Sequence, residues 1–155
     1  MPKIDMTQIE GQVGSTYPDP YNKEMDGRTQ FRLGKASGLT QFGANMVRLA
    51  PGAKSSLRHW HENQDEFLVV TKGTCTLIDA GGETELSPGD CAAFPAGEEN
   101  GHHLVNRSST DAEFVVVGTH TSTETAHYSD IDMMVRVSEG QFEFTKRDGS
   151  ALDNV

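Results

Sequence analysis

The sequence predicts an all-β domain, a small barrel or jelly roll, and three observations carry that expectation. From Gln41 onward, short β-like runs recur at intervals of about ten residues. Turn-forming clusters, ENQD, DAGG, SPGD and NRSSTD, each sit between two runs. No segment in that region carries a helical stripe of useful length.

Taken in order, residues 1–40 include STYPDPYNKEMDG, rich in Pro, Gly and polar residues with little periodicity. They read as an extended arm that must lie on the barrel or on a partner subunit to be ordered. The barrel follows over 41–145, with strands expected in FGANMVRLA, SLRHWH, EFLVVT, TCTLID, ETEL, CAAFPA, HLVN, AEFVVVGTH, MMVRV and QFEF. Two of these, Phe67 to Val70 and Phe114 to Val117, are apolar at successive positions. Both faces of those strands must then avoid water, one filling the barrel and the other needing a cover. The arm or a symmetry-related subunit could supply it, and a homodimer is the expected state. Residues 146–155 form a polar tail.

At 155 residues the chain fits one domain that can bury its own core. A net charge of −10 and a pI near 4.9 repel nucleic-acid backbones and anionic membrane surfaces at long range. No run approaches the roughly 20 apolar residues of a membrane span. The start MPKIDMTQIEG lacks the apolar core of a secretory signal, so a cytoplasmic location is expected. Cys75 and Cys91 lie in apolar segments and read as small buried thiols; without C-x-x-C spacing, neither a disulfide nor metal binding by them is expected.

The chemistry concentrates in the histidines. His59 and His61 form H-x-H in an extended run, so both rings point to one face and offer a pair of metal ligands. Standing alone, such a pair reads more often as solvated edge histidines flanking a core Trp60, and it is the surrounding sequence that reverses this. Glu66 follows across the polar turn ENQD, and a hairpin would return its carboxylate beside the imidazoles. Trp60, between two inward residues, is expected to face away from them.

The stretch GAKSSLRHWHENQDEFLVVTKG, Gly52 to Gly73, resembles the first motif of the cupin superfamily, G(X)5HXH(X)3-4E(X)6G, with six residues rather than five between Gly52 and His59. After a fifteen-residue spacer, GDCAAFPAGEENGHHLVN, Gly89 to Asn106, resembles the second motif, G(X)5PXG(X)2H(X)3N. Gly89, Pro95, Gly97 and Asn106 match, but Asn100 occupies the short form's histidine position. His102 keeps the interval to Asn106 and is the preferred fourth ligand; His103 is the alternative, because strand neighbours point to opposite faces. HWHENQDEF, FPAGEENGHHLVNRS and HYSDIDM are also similar to a group of small single-domain cupins.

The resemblance implies a double-stranded β-helix holding one divalent transition metal, Zn, Ni, Fe, Mn, Co or Cu, through His59, His61, Glu66 and His102. Three imidazoles and a carboxylate suit such ions and leave positions open for water or substrate. Three functions follow as expectations for a small-molecule substrate or ligand. The first is isomerase-like proton transfer on a sugar or sugar phosphate, which lacks an identifiable protein base. The second is an Fe- or Ni-dependent dioxygenase, and the third a non-catalytic binding or regulatory module. Gly73, Gly89 and Gly97 are expected in turns, His120 and His127 in surface or packing positions, and Arg48, Lys54, Arg58 and Arg107 as solvated charges.

Overall fold

The computed structural model describes residues 3–153. Its strands are paired antiparallel throughout and form three hydrogen-bonded sheets. The largest has the order β1 (Gln12–Val13), β2 (Arg28–Phe31), β3 (Phe42–Leu49), β10 (Ala112–Thr119), β5 (Glu66–Lys72) and β8 (Cys91–Phe94). A second is ordered β13 (Gln141–Thr145), β12 (Met134–Ser138), β11 (Thr123–Tyr128) and β4 (His59–His61). The third is ordered β7 (Gly82–Leu86), β6 (Cys75–Asp79) and β9 (His103–Val105). Single antiparallel bridges, His59 to His102 and Lys54 to Val105, join the two smaller sheets into one layer opposite the first. The result is a jelly roll, as the turn spacing and the run pattern predict.

Period-two alternation decides which side chains enter the space between the layers. Val47, Leu49, Leu68, Val70, Phe114 and Ala112 from the large sheet meet Cys75, Leu86 and Leu104 in one buried cluster. A second cluster joins Leu57, Ala126, Tyr128, Met133 and Val135 to Met25, with Tyr17 and Tyr21 packed against it. The residues expected to form an extended arm therefore insert aromatic side chains into the interior. They also add β1 and β2 to the large sheet and set a one-turn helix, α1 (Leu33–Ala36), against β3.

Turns between layers are built for their positions. Gly73 ends β5 with φ of 66°, and a Cβ there would stand 2.6 Å from Asp111 O, so both conformation and space require glycine. The Asn106 side chain, fully buried, donates to Leu49 O and Thr110 O, each at 2.8 Å, and its Oδ1 accepts from Ser108 N and Oγ. The motif asparagine thus closes the loop after β9 instead of facing the candidate site.

The outer face of the large sheet is apolar. Register places Ala44, Met46, Val115, Val117, Val69 and Phe67 together on it, with Phe67 45% and Phe42 40% exposed. Both cysteines are free; Cys75 is buried, but Cys91 is exposed, contrary to the expectation of two buried thiols. Cys91 faces outward because it pairs with Val69, whose side chain points away from the interior.

Candidate metal centre

Each candidate side chain is aimed by a different backbone constraint. His59 and His61 point into the barrel from β4, which is aligned on β11 with His59 opposite Tyr128 and His61 opposite Ala126. Trp60 faces the other way, as expected, and stacks on its cross-strand partner His127 at 4.4 Å between ring centroids. His127 Nε2 also lies 2.7 Å from a Glu62 carboxylate oxygen, a packing role; His120 is exposed.

Glu66 arrives by a different route from the expected hairpin. β4 pairs with β11, whereas β5 pairs with β10 and β8, so the two segments lie in opposite layers. ENQD carries the chain across the barrel, and Glu66 faces the imidazoles from the far wall. The reason is a buried carboxylate that the sequence reading missed: Glu124 accepts from Glu62 N at 3.0 Å, Asn63 N at 3.1 Å and Thr125 N at 2.7 Å. Together with the bond from Glu62 N to Thr125 O at 3.0 Å, they tie the start of the turn to β11. Glu124→Ala removes the carboxylate acceptor of Asn63 N and Thr125 N, while Glu62 N keeps Thr125 O at 3.0 Å, and is expected to cost roughly 1–3 kcal/mol in denaturant unfolding, with Glu124→Gln losing less.

The register between neighbouring histidines is settled by the bridge between His59 and His102, whose backbones exchange hydrogen bonds of 3.0 and 3.3 Å. His102 is thereby turned inward, only 3% exposed, with the Phe94 ring flat against it at 3.4 Å. His103 faces the other way, its Nδ1 2.9 Å from Ser56 O. The additional residues before His102 include Gly101, where a Cβ would stand 1.9 Å from Ser129 Oγ; glycine lets this strand close on the layer.

The four side chains meet. His59 Nε2 is 3.1 Å from His61 Nε2, Glu66 Oε1 is 3.3 Å from His102 Nε2, and Glu66 Oε2 is 3.8 Å from His61 Nε2. Donor atoms of His59, His61 and Glu66 all lie within 4.8 Å of one another. His59 Nδ1 is 2.8 Å from Leu57 O, which fixes its proton there and leaves Nε2 as a bare lone pair aimed at the cluster. Two ligand atoms about 2.1 Å from one ion stand about 3 Å apart at a right angle, which is the spacing of this pair. The donor set therefore fits a divalent transition ion.

Electrostatics agree. Desolvation, then repulsion by His61 and His102, pushes His59 down to about 3, so the ring is neutral at physiological pH. His61 is also lowered, chiefly by burial. Burial raises the Glu66 carboxyl, but the His102 hydrogen bond and the surrounding imidazoles together outweigh it and hold the group ionised below its ordinary range. Neutral imidazoles beside an ionised carboxylate are the protonation states that ligation requires.

A cleft of about 320 Å³ opens beside the cluster, with His61 and His102 in its wall and Leu77 and Phe94 as apolar lining. Its other polar lining includes Gln64, Asp79, Glu98 and Asn100. The basic residues singled out in the sequence lie elsewhere in ion pairs: Arg48 with Glu113, Lys54 with Glu24, Arg58 with Asp130 and Arg107 with Glu83. No helix among the described residues is long and apolar enough to cross a membrane.

Comparison with known proteins places this geometry. A family profile described as Cupin domain matches residues 45–118. A solved structure from Silicibacter pomeroyi, a sugar phosphate isomerase from a cupin superfamily, is 58% identical. It superposes with a TM-score of 0.97, covering 99% of this chain and 98% of that one. A structure from Acidithiobacillus ferrooxidans is 21% identical with a TM-score of 0.79, covering 94% of this chain and 88% of that one. A polyketide cyclase from Streptomyces resistomycificus is also 21% identical, with a TM-score of 0.64 and 78% and 80% covered. These two show likeness of fold alone. A comparison with curated proteins finds no match.

Proposed function

This chain belongs to the cupin superfamily, and from that premise we propose that it is a cytoplasmic metal-dependent enzyme that moves a proton on a small oxygenated metabolite, as in the isomerisation of a sugar or sugar phosphate. One divalent transition ion, Zn, Ni, Fe, Mn, Co or Cu, would be held by His59, His61, Glu66 and His102. When bound, it would polarise a carbonyl or hydroxyl oxygen of the substrate. The reading is carried by one observation: four donor side chains converge, and two of them, His61 and His102, form part of the wall of a cleft sized for a metabolite. The name of the 58% identical relative supports the same class.

The chain's own residues divide the work. His59, His61, Glu66 and His102 fix the reacting oxygen, and Leu77 and Phe94 exclude water from one side of the cleft. Glu66 is occupied, each carboxylate oxygen facing an imidazole. The base absent from the sequence reading is assigned to a second carboxylate in the cleft. Of the two that line it, Asp79 is tied by hydrogen bonds to Gly81 N and Asn100, whereas Glu98 has no side-chain partner among the described residues and is the group placed to accept the proton.

The test is hydrogen exchange. Protein isolated without chelator is analysed for metal, reloaded with each ion, and incubated with aldoses, ketoses and their phosphates in deuterium oxide. The expected result is metal-dependent deuterium incorporation next to the carbonyl, lost in Glu98→Gln with metal retained. Oxygen uptake without exchange would replace this reading with a dioxygenase, and metal binding with neither activity would replace it with a binding module.

The apolar outer face of the large sheet is proposed to seat a second copy of the chain. Phe67→Asp is expected to shift the sedimenting species from dimer to monomer without loss of metal. A parent protein that sediments as a monomer ends the dimer proposal.

A further inference from the structure

We propose that the cleft beside the histidine cluster binds an uncharged polyhydroxylated compound and discriminates against the phosphate ester of that compound. The inference deepens the proton-transfer reading and rests on it for the placement of the reacting oxygen.

Phosphate groups are held by Arg and Lys side chains or by backbone amides at helix N-termini. None of the chain's 13 Lys and Arg residues lines this cleft. Several are already engaged: four in the ion pairs described above, and Arg28 and Arg147 on backbone carbonyls. Apart from the His61 and His102 imidazoles, the polar wall is made of two carboxylates and two carboxamides.

Those groups are arranged as acceptors. Asp79 Oδ1 accepts from Gly81 N at 2.7 Å, and Oδ2 from Asn100 Nδ2 at 3.1 Å, while Asn100 Oδ1 accepts from Ala80 N at 2.9 Å. This linkage fixes the wall at the end of β6, and each bonded carboxylate oxygen retains a second lone pair. Gln64 gives its amide hydrogen to Thr121 Oγ1 at 2.9 Å, leaving its carbonyl oxygen as an acceptor. Glu98 follows a turn pinned to β4 through Gly97 N and His61 O at 2.8 Å. The held acceptors of Asp79, Asn100 and Gln64, with the Glu98 carboxylate on the same lining, are complementary to hydroxyl hydrogens, and one hydroxyl can donate to each.

A phosphate dianion presents only acceptors to the same wall. It would also bring negative charge within about 8 Å of Asp79 and Glu98, where salt screens little. The chain's net charge of −10 adds repulsion of the same sign on approach.

The experiment is calorimetric titration of the metal-loaded protein with matched pairs, D-ribose and ribose 5-phosphate, D-fructose and fructose 6-phosphate, D-mannose and mannose 6-phosphate, and with inorganic phosphate alone. At least one free sugar is expected to bind about tenfold or more tightly than its own ester, with no competition from inorganic phosphate. Glu98→Lys, at an exposed loop position, is expected to reverse that order, and Asp79→Asn to weaken free-sugar binding about tenfold with metal content unchanged. An ester that binds more tightly than its parent sugar, competition by inorganic phosphate, or a panel in which no free sugar binds overturns the proposal. Heat of binding is read independently of turnover, so missing deuterium exchange would defeat the proton-transfer reading while leaving this preference measurable.

Discussion

His102→Ala is expected to abolish stoichiometric metal binding, whereas the adjacent His103→Ala leaves it intact. The two residues differ by one position, yet strand geometry sends their rings to opposite faces. His102 Nε2 stands 3.3 Å from Glu66 Oε1 inside the barrel, and His103 Nδ1 stands 2.9 Å from Ser56 O outside the cluster. Loss of an outer-shell partner typically weakens a metal site roughly 10–100-fold, and loss of a direct ligand is expected to exceed that. The measurement is metal per chain after dialysis against a weak competing chelator. Because Phe94 lies flat on His102, the alanine variant also opens a void, so His102→Gln provides a volume-matched second variant. Equal metal content in parent, His102→Ala and His102→Gln, or loss of metal in His103→Ala, would remove His102 from the site.

The second large effect is structural. Asn106→Ala is expected to destabilise the fold by about 3–5 kcal/mol, because it removes the side-chain donor to the buried Leu49 carbonyl and to Thr110 O, takes the acceptor from the Ser108 amide and adds a cavity. For a chain of this size that corresponds to a fall in melting temperature of roughly 6–20 °C. Asn106→Asp separates hydrogen bonding from shape. It keeps the volume but replaces the NH2 that faces Leu49 O and Thr110 O with an acceptor, so it is expected to be at least as damaging as alanine. An aspartate variant that melts with the parent would refute the hydrogen-bond account, while unchanged metal affinity in a folded Asn106 variant would be consistent with the loop-closing role.

Both predictions concern residues visible in the sequence, and they mark how far reading alone reaches. The H-x-H pair was legible because a period of two is local: any extended backbone sends His59 and His61 to the same side. The strands with large apolar side chains, such as Phe114 to Val117, were equally clear. β11 was not recognised. Its inward residues are Glu124, Ala126 and Tyr128, a pattern in which only one side chain is a large apolar strand former. With β11 went Glu124 and the crossing of ENQD, and so the true approach of Glu66.

What the sequence determined by itself was the set of strands rich in large apolar residues, the glycine turns and the donor types, because each follows from properties of neighbouring residues. What only the tertiary structure decided was pairing: β4 with β11 in place of β5, His102 inward through its bridge to His59, Tyr17 inserted from the arm, and Glu98 beside the cluster. Those contacts join residues far apart along the chain. Their geometry depends on which buried amides find acceptors and which faces close together, a balance that no local pattern contains.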